Sequence, residues 1–131
     1  MIGRHRRALR VGFVLYAAVL FIATHKPGVQ VNVVPGIRLD LFIHLGAFGV
    51  WTALLGLTGW VGDPARVRGA IMLAVVGVGY AVVDESSQAL PIFDRVFDLA
   101  DMMANATGAV LATLLLFGMA RLLARPQDAP R

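Results

Sequence analysis

Residues 69–90 read GAIMLAVVGVGYAVVDESSQAL. The stretch is apolar until Asp84 and long enough to cross a bilayer as a helix, which takes roughly 20 residues. Its end is hydrophilic: Asp84-Glu85-Ser86-Ser87-Gln88. A second polar group follows a short loop, Asp98-Leu99-Ala100-Asp101 and then Asn105. An ionised side chain at membrane depth costs about 2.5–3.5 kcal/mol on insertion scales, so such residues persist mostly where they do a job.

Three more apolar runs flank this one. Val11 to Thr24 is short and uncharged, with Arg10 and Lys26 able to snorkel at its ends. Leu41 to Gly62 contains only His44 as an ionisable group, and Met102 to Ala120 has Asn105 and two threonines as its polar side chains. Composition agrees with a membrane chain: 58% of the 131 residues are hydrophobic and 15% charged, against about 25% charged in soluble domains. The expected fold is therefore all-α, with four transmembrane helices in a compact bundle and a short extracytoplasmic lip between helices three and four. The expected division is a basic cytoplasmic tail over 1–10, a transmembrane domain over 11–125 and a disordered tail over 126–131. Arg4-His5-Arg6-Arg7 before an apolar run also resembles a signal peptide, but no small-residue cleavage site follows and three further spans do.

Lys and Arg set the orientation. Arg4, Arg6, Arg7, Arg10, Arg66, Arg68, Arg121, Arg125 and Arg131 fall at one end of the bundle, against Lys26, Arg38 and Arg95 at the other. Both termini are expected to face the cytoplasm. The net charge of +4 is thus a topology signal and implies no nucleic-acid partner. Asp40, Asp84, Glu85, Asp94, Asp98 and Asp101 all fall at the outer end, whereas Asp63 and Asp128 fall inside. The absence of cysteine excludes disulfides, zinc-thiolate sites and thiol nucleophiles.

The connections carry weaker signals. Val29-Gln30-Val31-Asn32-Val33 alternates like a short extended segment, and Pro35-Gly36 marks a turn. Pro64 is placed to start helix three. Pro91 to Phe97 reads as an interfacial hairpin or shallow re-entrant lip. Ala104, Gly108 and Ala112, like Gly46, Gly49, Gly56 and Gly59, would admit a neighbouring helix closely, within the bundle or in a homo-oligomer. His25 and Lys26 are expected at headgroup level and Trp60 as an interface anchor. Asn105-Ala106-Thr107 matches a glycosylation sequon but lies inside a span.

Asp40 and His44 share a face at i, i+4, as do Asp101 and Asn105, while Glu85 and Gln88 pair at i, i+3. Three helix ends thus aim an acid and a second polar group at one height. Through Asp40-x-x-x-His44, Glu85-x-x-Gln88, Pro91, Arg95, Asp98, Asp101, Asn105 and Gly108, the chain resembles the VanZ-like family of small bacterial membrane proteins. The resemblance spans about Asp40 to Ala112, and its second half is the specific part. The family often has a lysine after the first acid and an aromatic hydroxyl one turn after the histidine; Leu41 and Phe48 stand there, so roles of that ammonium or phenol do not transfer. The resemblance implies low-level resistance to glycopeptides of the teicoplanin and lipoglycopeptide type.

Three readings of the polar cluster compete. In the first, Asp40, His44, Glu85, Gln88, Arg95, Asp98, Asp101 and Asn105 form an outward-facing pocket that binds an amphiphilic glycopeptide or a lipid-linked envelope precursor. In the second, the protein is a hydrolase or transferase on a lipid-linked phosphate or glycan. Glu85 or Asp101 is then the general base, His44 (oriented by Asp40) an acid or base, and Arg95 an anion clamp. A metal-assisted form uses His44, Glu85 and Asp101 as ligands, a set suited to a divalent magnesium or manganese ion rather than zinc. In the third the cluster is structural, with Arg95 paired to Asp98 or Asp101, Asp98 capping helix four and Asp101 reaching His44.

Overall fold

The computed structural model describes residues 2–26 and 38–124. Four helices make up nearly all of this: α1 Ile2–His25, α2 Leu39–Thr58, α3 Val67–Gln88 and α4 Leu99–Leu123. Each contains a membrane-length apolar window, of mean hydropathy 1.7 in the first three and 1.8 in α4. Outward faces decide the environment. Leu15, Ile22, Phe42, Ile71, Val75 and Leu115 are each more than half exposed. Apolar surface on the outside of all four helices is matched by hydrocarbon and not by water. The protein is a multi-pass integral membrane protein with a four-helix bundle.

Helix ends differ from the apolar runs because capping, not hydropathy, sets them. α1 starts at Ile2, so the basic segment before Val11 is a helical extension; it holds no proline and several arginines, good helix formers. α2 stops at Thr58, where Gly59 takes a left-handed conformation with φ 74°. α3 begins at Val67, three residues beyond Pro64, because Asp63 first forms a turn by accepting the Ala65 N–H at 2.9 Å. α4 begins at Leu99 because Asp98 caps it. The lip is a single 3-10 turn, Pro91–Phe93, followed by Asp94 at φ 49° and an irregular segment leading to Asp98. The expected Val29–Val33 segment, the Pro35-Gly36 turn and the tail from Pro126 lie outside the described residues.

α2 is the hub, and its contact with α4 is the most extensive in the bundle. Gly108 makes that contact possible: a Cβ there would run into the Leu45 carbonyl of α2, a backbone atom that cannot rotate away. Among the α2 glycines, Gly49 and Gly56 also meet neighbours, whereas Gly46 faces open space. An aromatic stack fills the middle of the bundle. Trp51 lies on Tyr80 at 4.4 Å between ring centres, Phe48 on Tyr80 at 5.5 Å, and Phe13 stands edge-on to Trp51 at 5.2 Å. Above this apolar floor, the C-terminal ends of α1 and α3 meet the N-terminal ends of α2 and α4. The polar residues collect there.

Candidate functional site

Arg38, the residue before α2, organises the acidic end. Its Nη2 lies 2.8 Å from Asp40 Oδ2, 3.0 Å from Asp98 Oδ2 and 2.9 Å from Asp101 Oδ1. One amino group has two hydrogens, so three carboxylates share it. Hydrogen bonds that Arg38 donates to Asp40 and then to Asp98 raise its pKa above the ordinary value. Asp98 is pulled upward by burial, but the Ala100 N–H (2.7 Å to Oδ1) and the Arg38 guanidinium outweigh this and hold its carboxyl below the ordinary value.

His44 lies one turn into α2 behind Asp40. Its Nδ1 is 3.0 Å from Asn105 Oδ1 and its Nε2 3.6 Å from Asp101 Oδ2. Glu85 and Gln88 form the adjoining wall, fully within the protein. Glu85 Oε1 accepts the Asp98 backbone N–H at 2.8 Å, and Oε2 accepts from the Gln88 amide at 3.2 Å. Gln88 Nε2 also donates to Asp84 Oδ2 at 3.1 Å, so one amide is stretched between two carboxylates. Gln88 Oε1 and Asn105 Nδ2 are buried with no hydrogen-bond partner among the described residues.

The structure therefore joins seven of the eight expected site residues in one network: Asp40, His44, Glu85, Gln88, Asp98, Asp101 and Asn105. Arg95 stands apart. It donates to the Lys26 carbonyl at 3.2 Å and makes no pair with Asp98 or Asp101; Arg38 takes that position because it is anchored directly before α2, whereas Arg95 sits on the far limb of the lip. Arg95 instead edges a cleft of about 170 Å³ between α1 and α2. Asp40 and His44 share its mouth, and Leu20, Ile43, Ala47 and Phe48 wall it.

The geometry bears on two chemical expectations. Each oxygen of Glu85 accepts one hydrogen bond and the residue is 1% exposed, so its carboxylate is covered by protein in this arrangement. Among the described residues no group of three His, Asp or Glu side chains is arranged to hold a metal ion. His44, Glu85 and Asp101 thus form no ligand set, since Asp101 is held by Arg38 and Glu85 by Asp98 and Gln88.

A clasp beside the network escaped the sequence reading. The Thr24 hydroxyl lies 3.2 Å from Asp84 Oδ1, His25 Nε2 lies 2.8 Å from Ser87 Oγ, and His25 Nδ1 lies 2.9 Å from the Phe21 carbonyl. His25 is 4% exposed and packed between Phe21 and Phe93, so protein covers it at the end of α1. The aromatic pair covers it from solvent. Nothing in the local pattern marks His25 for burial; its partner is 62 residues away. Arg38 carried a fainter signal, two residues before Asp40.

No protein-family model, curated protein or solved structure matches the chain.

Proposed function

We propose that the protein recognises an amphiphilic molecule of the cell envelope at the cleft between α1 and α2. The observation carrying this reading is the composition of the cleft: Arg95, Asp40 and His44 at the mouth, and an apolar wall of Leu20, Ile43, Ala47 and Phe48. At about 170 Å³ it is smaller than the roughly 300–1,000 Å³ typical of sites that enclose a drug-sized ligand. It can hold a headgroup and the first part of a chain, while the remainder lies in the bilayer against α1 or α2. Arg95 offers a guanidinium to an anionic group, and Asp40 offers a carboxylate to a cationic one.

In the sequence, nine arginines on the terminal side of the spans against three basic residues on the other support an orientation with both termini cytoplasmic, so that the cleft opens outward; the bacterial inner membrane is what the family resemblance adds. The resemblance to the VanZ-like family, carried by Asp40, His44, Glu85, Gln88, Arg95, Asp98, Asp101 and Asn105, points to a teicoplanin-type lipoglycopeptide or a lipid-linked wall precursor as the amphiphile. The test is binding of a fluorescent lipoglycopeptide and of its deacylated form to the purified protein. Acyl-dependent binding that weakens about tenfold in Arg95→Ala, the share of one charge-assisted contact, is the expected result. Equal binding of both forms, or none, removes this function.

A further inference from the structure

The opposite, basic end of the bundle carries a second cleft, of about 430 Å³, between the α2–α3 turn and the first turns of α3. Val61, Gly62 and Met72 form its apolar side, and Arg66, Arg68 and Asp63 its polar side. Asp63 does not neutralise the two arginines. Its Oδ1 accepts the Ala65 N–H, and its Oδ2 stands 3.7 Å from Arg66 Nε, between side chains 55% and 84% exposed. Such a contact contributes little. Arg68 has no ion-pair partner among the described residues.

The depth of this cleft in the membrane follows from its neighbours. Trp60 is half exposed, with the Arg10 guanidinium 5.7 Å over its ring. Tryptophan and arginine at the end of an apolar span belong to the headgroup layer. Below the cleft, Met72 and Val75 continue an exposed apolar face along α3. A pair of guanidiniums at headgroup depth above a lipid-facing apolar track matches one kind of occupant. Guanidinium forks bind phosphate oxygens in pairs, and the track suits an acyl chain, which free phosphate lacks.

We propose that this cleft seats the headgroup of an anionic phospholipid, with Arg66 and Arg68 on its phosphate and an acyl chain lying along Met72 and Val75. The site is independent of the cleft at the acidic end.

Native mass spectrometry of the full chain, titrated in detergent with dioleoylphosphatidylglycerol or dioleoylphosphatidylcholine, tests this. The wild type is expected to retain phosphatidylglycerol preferentially. Arg66→Ala/Arg68→Ala is expected to weaken that retention about thirtyfold, from roughly 1 kcal/mol per arginine near an anionic group. Arg68→Gln alone leaves the Asp63–Arg66 contact intact and is expected to lose about fivefold on the same basis; it carries the test if the double variant fails to fold. Arg6→Ala/Arg7→Ala removes equal charge from α1 and is expected to bind as the wild type does. Equal losses in the two double variants would mean attraction by net charge alone and overturn the site. So would no loss in Arg68→Gln, equal retention of the two lipids, or full displacement of phosphatidylglycerol by millimolar inorganic phosphate.

Discussion

Glu85 Oε1 accepts the backbone N–H of Asp98 at 2.8 Å across thirteen residues of chain. The bond closes the lip and ties the end of α3 to the start of α4. It also places a carboxylate at the positive end of the α4 dipole, where a negative group is favoured. The Asp98 side chain in turn caps Ala100, so both the backbone and the carboxylate of Asp98 are used at one helix start.

Removing this acceptor is expected to destabilise the bundle. Glu85→Ala strips partners from the Asp98 N–H and from the Gln88 amide, at about 1–3 kcal/mol for each buried donor left unsatisfied. Glu85→Gln retains one acceptor oxygen and is expected to lose less. Thermal unfolding in detergent micelles ranks the three proteins. A Glu85→Ala protein as stable as the wild type would mean that the α3–α4 tie carries no weight.

Four membrane spans were legible because an apolar run is a one-dimensional property: the stretch before Asp84 announces α3 without reference to any other part of the chain. The gathering of Asp40, His44, Asp101 and Asn105 was legible for a related reason, since i, i+4 spacing fixes a shared helix face. Partners across helices were legible only in part: Asp101 does reach His44, at 3.6 Å, but the cation beside Asp98 and Asp101 is not the expected one. Arg38 meets Asp98 and Asp101 at separations of 60 and 63 residues, and Arg95, nearer in sequence, is turned to Lys26 by the lip. The bond of His25 to Ser87 and its cover by Phe93 were not legible either. Helix ends moved by a few residues wherever a cap such as Asp98 or a turn such as Asp63–Arg66 outweighed hydropathy.

The α2–α4 contact gives a sharp test of packing. Gly108→Ala drives a methyl into the Leu45 carbonyl, and overpacking of this kind costs about 1–3 kcal/mol. Gly118→Ala on the same helix meets nothing within 4 Å and is expected to be neutral or to stabilise by about 0.5–1 kcal/mol through helix propensity. Chemical denaturation of both variants separates the outcomes. Equal stabilities would mean that the helices are not in close contact at Gly108.

Asp98 carries a pH dependence of known sign. Its carboxyl lies below its ordinary value of 3.8 in the folded protein. Its contribution to stability is therefore fully present above the ordinary carboxylate range and fades as pH falls through and below 3.8. Melting temperatures of wild type and Asp98→Asn, measured from pH 6 to pH 3, are expected to differ most at pH 6 and to draw closer as pH falls below 3.8. Arg38→Met, which removes the cation nearest to Asp98, is expected to flatten the wild-type curve in the same window. A wild-type advantage that grows toward pH 3 would reverse the assignment.

The clasp at the end of α1 predicts a local effect rather than a global one. α1 touches α3 sparingly, so Thr24 on Asp84 and His25 on Ser87 are disproportionately important to the α1–α3 seam. His25→Ala removes the Ser87 contact and the ring packed on Phe21 and Phe93. Loss of one or two hydrogen bonds at about 1 kcal/mol each corresponds to an opening equilibrium roughly 5–30-fold larger. Amide hydrogen exchange is expected to accelerate by that factor over residues 20–25 and to stay unchanged in the α2–α4 contact around Gly49 and Gly108. Thr24→Val is expected to give a smaller acceleration at the same residues, because it removes one hydroxyl and keeps the His25 ring in place. Acceleration spread evenly over all four helices would instead make His25 a determinant of the whole fold.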